Sequence, residues 1–126
     1  MKIGLISDIH ANLEALEAVF EDIEKQEVDR IVCLGDLVGY GANPNECVNA
    51  VREKCPTIIL GNHDAAAIEK LESTHFNVHA KIAIEWTMNN LTGSVRSFLL
   101  DLPLTRVENS NTYVHATPYE PNMWYY

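Results

Sequence analysis

Four short stretches hold residues whose types could do chemistry. "SDIHAN" at 7–12 carries Asp8 and His10, and "GDLVGYG" at 35–41 carries Asp36. "GNHD" at 61–64 carries Asn62, His63 and Asp64, and "TYVHA" at 112–116 adds His115. Two carboxylates, an amide oxygen and several imidazoles make a mixed oxygen and nitrogen donor set that suits Mn, Fe or Zn. Each of the first three stretches directly follows an apolar run, "KIGLI", "RIVCL" or "TIIL".

Those runs read as short buried strands, and the segments between them read as helices. Residues 13–27 place Leu13, Leu16, Val19, Phe20 and Ile23 at helical spacing, with Asn12 set to cap the start. Asn43 and Pro44 open a second helix that runs to about Lys54, since proline is preorganised at the first helical position. The fold class is therefore α/β. A β-α-β-α-β order implies parallel strands joined by right-handed crossovers, and ligands in such sheets gather at the carboxyl ends of the strands. All three strands then end in polar residues of metal-ligand type.

The middle of the chain predicts a short helix over 65–71, a longer one with an apolar stripe of Val78, Ile82, Trp86 and Leu91, and a third over 94–100. "LTRVE", "NSN" and "TYVHA" predict a C-terminal β-hairpin, with turn formers between two β-rich runs. The tail "TPYEPNMWYY" is aromatic and proline-punctuated. Trp124, Tyr125 and Tyr126 want a surface to cover, which points to a homo-oligomer with the tail at the interface or to a tail folded back on its own core.

Composition sets outer bounds. The 126 residues fit a single domain over 1–126, and 47% hydrophobic with 21% charged residues is ordinary for a globular protein. No run reaches the ~18 apolar residues that cross a bilayer, and Asp8 ends the first apolar stretch too early for a secretory leader. Cys33, Cys47 and Cys55 show no CxxC spacing, which fits free thiols and a cytoplasmic location. A formal net charge of −9 argues against binding nucleic acid through a basic surface. Glu14, Glu17, Glu21, Glu24 and Glu27 mark a solvated helix face. An acidic chain that handles phosphate needs positive charge from elsewhere, and metal ions could supply it.

Each candidate has a simpler reading. Asp or Asn after a strand often only caps a turn. His75 and His79 have the i,i+4 spacing of a zinc helix pair but lack the glutamate of HExxH. The glycines Gly35, Gly39, Gly41 and Gly61 allow tight turns, but the GxGxxG spacing of a dinucleotide loop is absent. Three strand ends in series are harder to explain this way. "DIH", "GD" and "GNHD" in that order resemble the motif set of the calcineurin-like metallophosphoesterase superfamily, and "SDIHANLEALEAV", "GNHDAA", "IEWT" and "VHATP" look closest to its compact prokaryotic members.

The resemblance implies a hydrolase acting on phosphate esters, with a small phosphate ester or nucleotide as substrate. It also implies two divalent cations, manganese first, with iron, zinc or nickel as alternatives. Asp8 and His10 would hold one metal, Asp36 would bridge both, and Asn62 and His115 would hold the second. His63 would be the general acid, with Asp64 as its orienting partner. The family's final GHxH motif has no counterpart here, so the likeness is to the N-terminal part of the family fold, with the chain ending before that motif. A metal-binding remnant with little turnover, or a self-associating subunit, is the alternative reading.

Overall fold

The structure is a computed structural model that describes residues 1–125. Its centre is a three-stranded parallel sheet in the order β1-β2-β3, formed by Ile3–Ile6 (β1), Arg30–Cys33 (β2) and Thr57–Ile58 (β3). The register pairs Ile6 with Cys33 and Cys33 with Ile58, so these side chains share one face of the sheet. Val32 and Ile59 belong to the other face. The third strand is shorter than the run "TIIL" predicts. The Ile59 N–H still donates to the Cys33 carbonyl at 2.9 Å, but the Leu60 N–H donates to the Pro103 carbonyl at 2.9 Å instead of to the sheet.

Two crossover helices connect the strands. Helix α1 (Leu13–Lys25) follows β1 and starts where the Asn12 side chain accepts the Ala15 N–H at 3.1 Å. It buries Leu16 and Phe20, while Val19, expected on the same face, is 41% exposed. Helix α2 (Pro44–Lys54) follows β2 and buries Cys47, Val48 and Val51. Helix α3 (Asn62–Ala67) begins three residues earlier than the sequence predicts and is buried throughout. The Asp64 carboxylate accepts the Gly61 N–H at 3.0 Å, a capping contact that starts the helix at the motif itself.

Helix α4 (Val78–Asn90) is capped by Asn77 and packs on α3. Three of its four stripe residues are turned outward: Val78, Ile82 and Trp86 are exposed, Leu91 packs against the main core, and Ala80, Ile84 and Thr87 face the interior. The facing helix α3 is built largely of alanine, so the small Ala80 permits close approach there. Helix α5 (Gly93–Leu100) buries Val95 and Leu99. Residues from α1, α2, α3 and α5 join Ile6, Cys33 and Ile58 in the main core.

Strands β4 (Thr105–Glu108) and β5 (Asn111–Val114) form the expected antiparallel hairpin. Its turn residues Asn109 and Ser110 both have positive φ, +48° and +66°, the backbone that matches the twist of paired strands. The hairpin covers the second face of the sheet: Tyr113 packs on Val32 and Ile59, and Arg30 on β2 reaches Glu108 at 2.7 Å. In the tail, Trp124 is half-buried against the main core, while Tyr119 and Tyr125 stack 6.3 Å apart at the surface. Tyr126 lies outside the described residues.

The three cysteines are free and buried, and burial pushes the Cys47 and Cys55 thiols up to about 11 and about 12, so neither is a ready nucleophile. Among the described residues, no helix is long and apolar enough to cross a membrane.

Candidate metal centre

The loops after β1 and β2 run side by side beyond the sheet. Asp8 N–H donates to the Gly35 carbonyl at 3.0 Å, His10 N–H to Asp36 at 2.9 Å, and Ala11 N–H to Leu37 at 2.9 Å. This extension carries strain. Asp8 (+55°), His10 (+48°) and Asp36 (+56°) all adopt the left-handed backbone that side chains with a Cβ disfavour. The twist turns successive side chains toward one spot, which ordinary extended strands, alternating faces, cannot do.

Asp36 stands at that spot, only 2% exposed. Its Oδ1 accepts the His63 N–H at 2.9 Å, which ties the loop after β2 to the first turn of α3. Gly61 makes this approach feasible, since a Cβ there would collide with the Asp36 carboxylate. Asp36 Oδ2 is left facing two imidazoles, His10 Nε2 at 3.6 Å and His115 Nε2 at 3.5 Å. Asp8 lies 3.7 Å from His10 Nε2 and is the most exposed of the set. Asn62 Oδ1 lies 3.0 Å from His115 Nε2. The five residues expected from the sequence to hold metal therefore meet at one place, with His63 beside them, although His115 arrives from the far hairpin.

The two histidines nearest Asp36 are held alike. Nδ1 of His10 donates to the Val38 carbonyl at 3.0 Å, and Nδ1 of His115 to the Leu34 carbonyl at 2.7 Å. That assignment leaves both Nε2 atoms as donors of electron pairs, the orientation that metal-ligating histidines have. It also sets the Nε2 lone pair of His115 against the Asn62 oxygen. Two electron-pair donors 3.0 Å apart need a proton or a cation between them. Without one, burial lowers the His115 pKa but Asp36 outweighs it and lifts it to about 9. Oxygen and nitrogen atoms from His10, Asp36 and His63, and from Asp8, Asp36 and His115, lie within 4.8 Å of one another. The donor set fits divalent cations.

His63 is placed differently. Its ring meets His10 at 4.7 Å, Tyr40 at 5.0 Å and Phe76 at 4.8 Å between centroids. Nδ1 is buried with no hydrogen-bond partner among the described residues and rests against Gly39, where a Cβ would come within 2.8 Å. Burial holds its imidazole below the usual value, with Asp36 pulling the other way. Asp64 does not orient it: among the described residues no hydrogen bond joins the two side chains. The Asp64 oxygens instead accept the Val38 N–H and the Gly61 N–H, both at 3.0 Å. Asp64 is fully buried, and burial followed by the nearby Asp36 charge pushes it up to about 7, against the pull of those two N–H groups. Its work is structural, locking the "GDLVG" loop to the "GNHD" turn.

Sequence reasoning missed the aromatic surround of Tyr40, Phe76 and Trp124. Tyr40 has a signal in retrospect, a bulky residue between Gly39 and Gly41 held at φ +60°. Phe76 has none, and the tail aromatics point only to covering a surface, without any sign that Trp124 reaches His115.

The profile of the family described as calcineurin-like phosphoesterase matches residues 1–120. The chain belongs to that family. An uncharacterized protein of Methanocaldococcus jannaschii is 44% identical over 98% of this chain and 53% of its own length. A metallophosphoesterase structure from Sphaerobacter thermophilus aligns with TM-score 0.81 and 44% identity, covering 96% of this chain and 49% of that one. A protein structure from Pyrococcus horikoshii aligns with TM-score 0.80 and 26% identity, covering 95% and 56%. The chain thus spans about half the length of these relatives.

Replacing Asp64 tests the lock. Asp64→Ala leaves the buried Val38 and Gly61 N–H groups without acceptors, and each orphaned donor costs ~1–3 kcal/mol. Urea unfolding is expected to give a loss of about 2–4 kcal/mol, with Asp64→Asn between Ala and the native residue because it keeps one acceptor oxygen. A loss below about 0.5 kcal/mol, the range of neutral surface changes, contradicts the assignment.

Proposed function

We propose that the chain carries a dinuclear phosphoesterase centre that hydrolyses phosphomonoesters or phosphodiesters, with a small phosphate ester or nucleotide as substrate. The observation that carries this reading is Asp36, pinned through Oδ1 with Oδ2 nearly equidistant from His10 and His115 Nε2. In this assignment Asp8, His10 and Asp36 hold one divalent cation, and Asp36, Asn62 and His115 hold the other. Manganese suits the mixed donors, as do iron, zinc and nickel. When bound, the cations lower the pKa of water and offset phosphate charge, which lets a chain of net charge −9 take an anionic substrate.

The chain's own groups position and protonate. His63 is assigned as proton donor to the leaving oxygen and not as a ligand. A ligating histidine has its other nitrogen fixed by a partner, as His10 and His115 do, whereas His63 Nδ1 has none. A proton on Nε2 leaves only an acceptor unpaired at the buried Nδ1. The Asp64 and Asp36 carboxylates hold the Gly61 and His63 N–H groups, and the ring is held by packing between Tyr40 and Phe76. A cytoplasmic location fits the three free thiols.

The length of the relatives favours one second reading, a metal-binding module with little turnover on its own. Turnover of a chromogenic phosphodiester with added Mn separates the two.

Two substitutions test the roles. Asp36→Ala removes the shared ligand, and elemental analysis is expected to find most metal lost together with activity. Retention of two metals per chain overturns the bridging assignment. His63→Ala is expected to keep its metal while kcat falls ~10²–10⁴-fold on alkyl esters, with a smaller loss on nitrophenyl esters. Loss of metal in His63→Ala makes it a ligand instead.

A further inference from the structure

Helix α4 has two faces of opposite character. Ala80, Ile84 and Thr87 pack inward, while Val78, Ile82 and Trp86 stand outward at 63%, 60% and 45% exposure. Positions four apart form one ridge along a helix, here over about two turns and roughly 12 Å. A lone exposed apolar residue is ordinary, but three large ones on consecutive turns make a contiguous patch of the kind that contacts a partner. Asn89 in the last turn does not interrupt the row, because its amide folds back onto the Glu85 carbonyl at 2.8 Å. None of the residues proposed to hold metal lies on this helix.

The charges beside the row say what fits it. Lys81 and Glu85 flank it on one side, both are exposed, and among the described residues neither is in an ion pair. Within the helix they stand in the less favourable order, lysine before glutamate. A second copy of α4 laid antiparallel over the row, about a two-fold axis at Ile82, provides each with a partner. Ile82 then meets its own counterpart, Val78 meets Trp86, and every contact occurs twice, as in an isologous interface. The two-fold keeps the charged flanks on the same side and reverses their order, so each Lys81 falls opposite a Glu85. A parallel pair would set that flank against His79 and Ala83 and leave both charges unmatched. Of the tail aromatics, the other surface the sequence offers for association, Trp124 is taken up by the main core and Tyr119 stacks on Tyr125.

We propose that the outer face of α4 is a self-association surface covered by α4 of a second copy of this chain, antiparallel, with Ile82 at its centre and two Lys81–Glu85 pairs at its edge. Ridges of every fourth residue interdigitate at a crossing angle of about 50°, which confines contact to the middle turns. The patch is therefore smaller than the ~800 Å² per partner of a standard interface, and the dimer is of the weak, concentration-dependent class. This inference is independent of the hydrolytic reading.

Sedimentation velocity on the full chain, from about 1 μM to about 1 mM, is expected to show a monomer–dimer equilibrium. Ile82→Glu places two like charges on the two-fold axis and is expected to leave only monomer, with the circular dichroism spectrum unchanged because the site is exposed. Lys81→Glu turns two attractive pairs into repulsive ones and should weaken the dimer about 10-fold. Exchanging both charges, Lys81→Glu with Glu85→Lys, should bring the dissociation constant back toward its native value. That rescue supports the antiparallel register, which a purely hydrophobic contact or a tail-mediated one would not produce. A chain that stays monomeric at about 1 mM overturns the surface, as does a dimer that survives Ile82→Glu. A double exchange that dimerises no better than Lys81→Glu overturns the paired arrangement.

Discussion

Two carboxylates are buried under the ends of three short strands, and the rest of the molecule is arranged to tolerate them. Asp36 and Asp64 are 2% and 0% exposed, and an uncompensated buried carboxylate would cost several kcal/mol. Asp64 is compensated by two backbone N–H groups from separate loops. Among the described residues Asp36 is compensated by one N–H, from His63, and otherwise faces histidines whose Nδ1 protons are already committed to carbonyl oxygens. Asp64 is therefore satisfied within the chain, whereas Asp36 keeps Oδ2 facing two imidazoles. That difference separates a carboxylate held by backbone from the one proposed to hold metal.

The same contacts explain the strain in the loops. Bringing Asp8, His10 and Asp36 to one point forces each into left-handed backbone, at about 1–3 kcal/mol per residue. The hydrogen bonds that zip the first loop to the second, and the Asp64 bonds that tie the second to α3, hold that geometry. Because the site rests on backbone bonds between adjacent loops, its geometry is fixed by the fold itself. The hairpin completes it from the opposite face of the sheet, where Tyr113 anchors β5 and so delivers His115 beside Asn62.

Much of this was legible in the sequence, for identifiable reasons. Strand and helix order follows from short β-branched runs alternating with amphipathic segments, and Asn12, Pro44 and the Asn109-Ser110 turn mark their ends. The gathering of ligand-type residues follows from strand ends in series. What escaped reading depended on three-dimensional neighbours. The Val78, Ile82 and Trp86 stripe has helical spacing but faces outward, because periodicity gives a face without saying which side packs. Asp64 stands next to His63 in sequence, yet its carboxylate turns to backbone groups, since adjacent residues on a helix point apart. Phe76 and Trp124 join His63 only through the packing of distant segments.

The bridging role of Asp36 is tested most directly by titrating the metal-free chain with Mn²⁺ while following stoichiometry by calorimetry and electron paramagnetic resonance. Two equivalents per chain, with magnetic coupling between neighbouring ions and protons released as His115 gives up its charge, is the predicted result. A single equivalent, two uncoupled ions, or no binding at all would contradict a shared carboxylate between two metals.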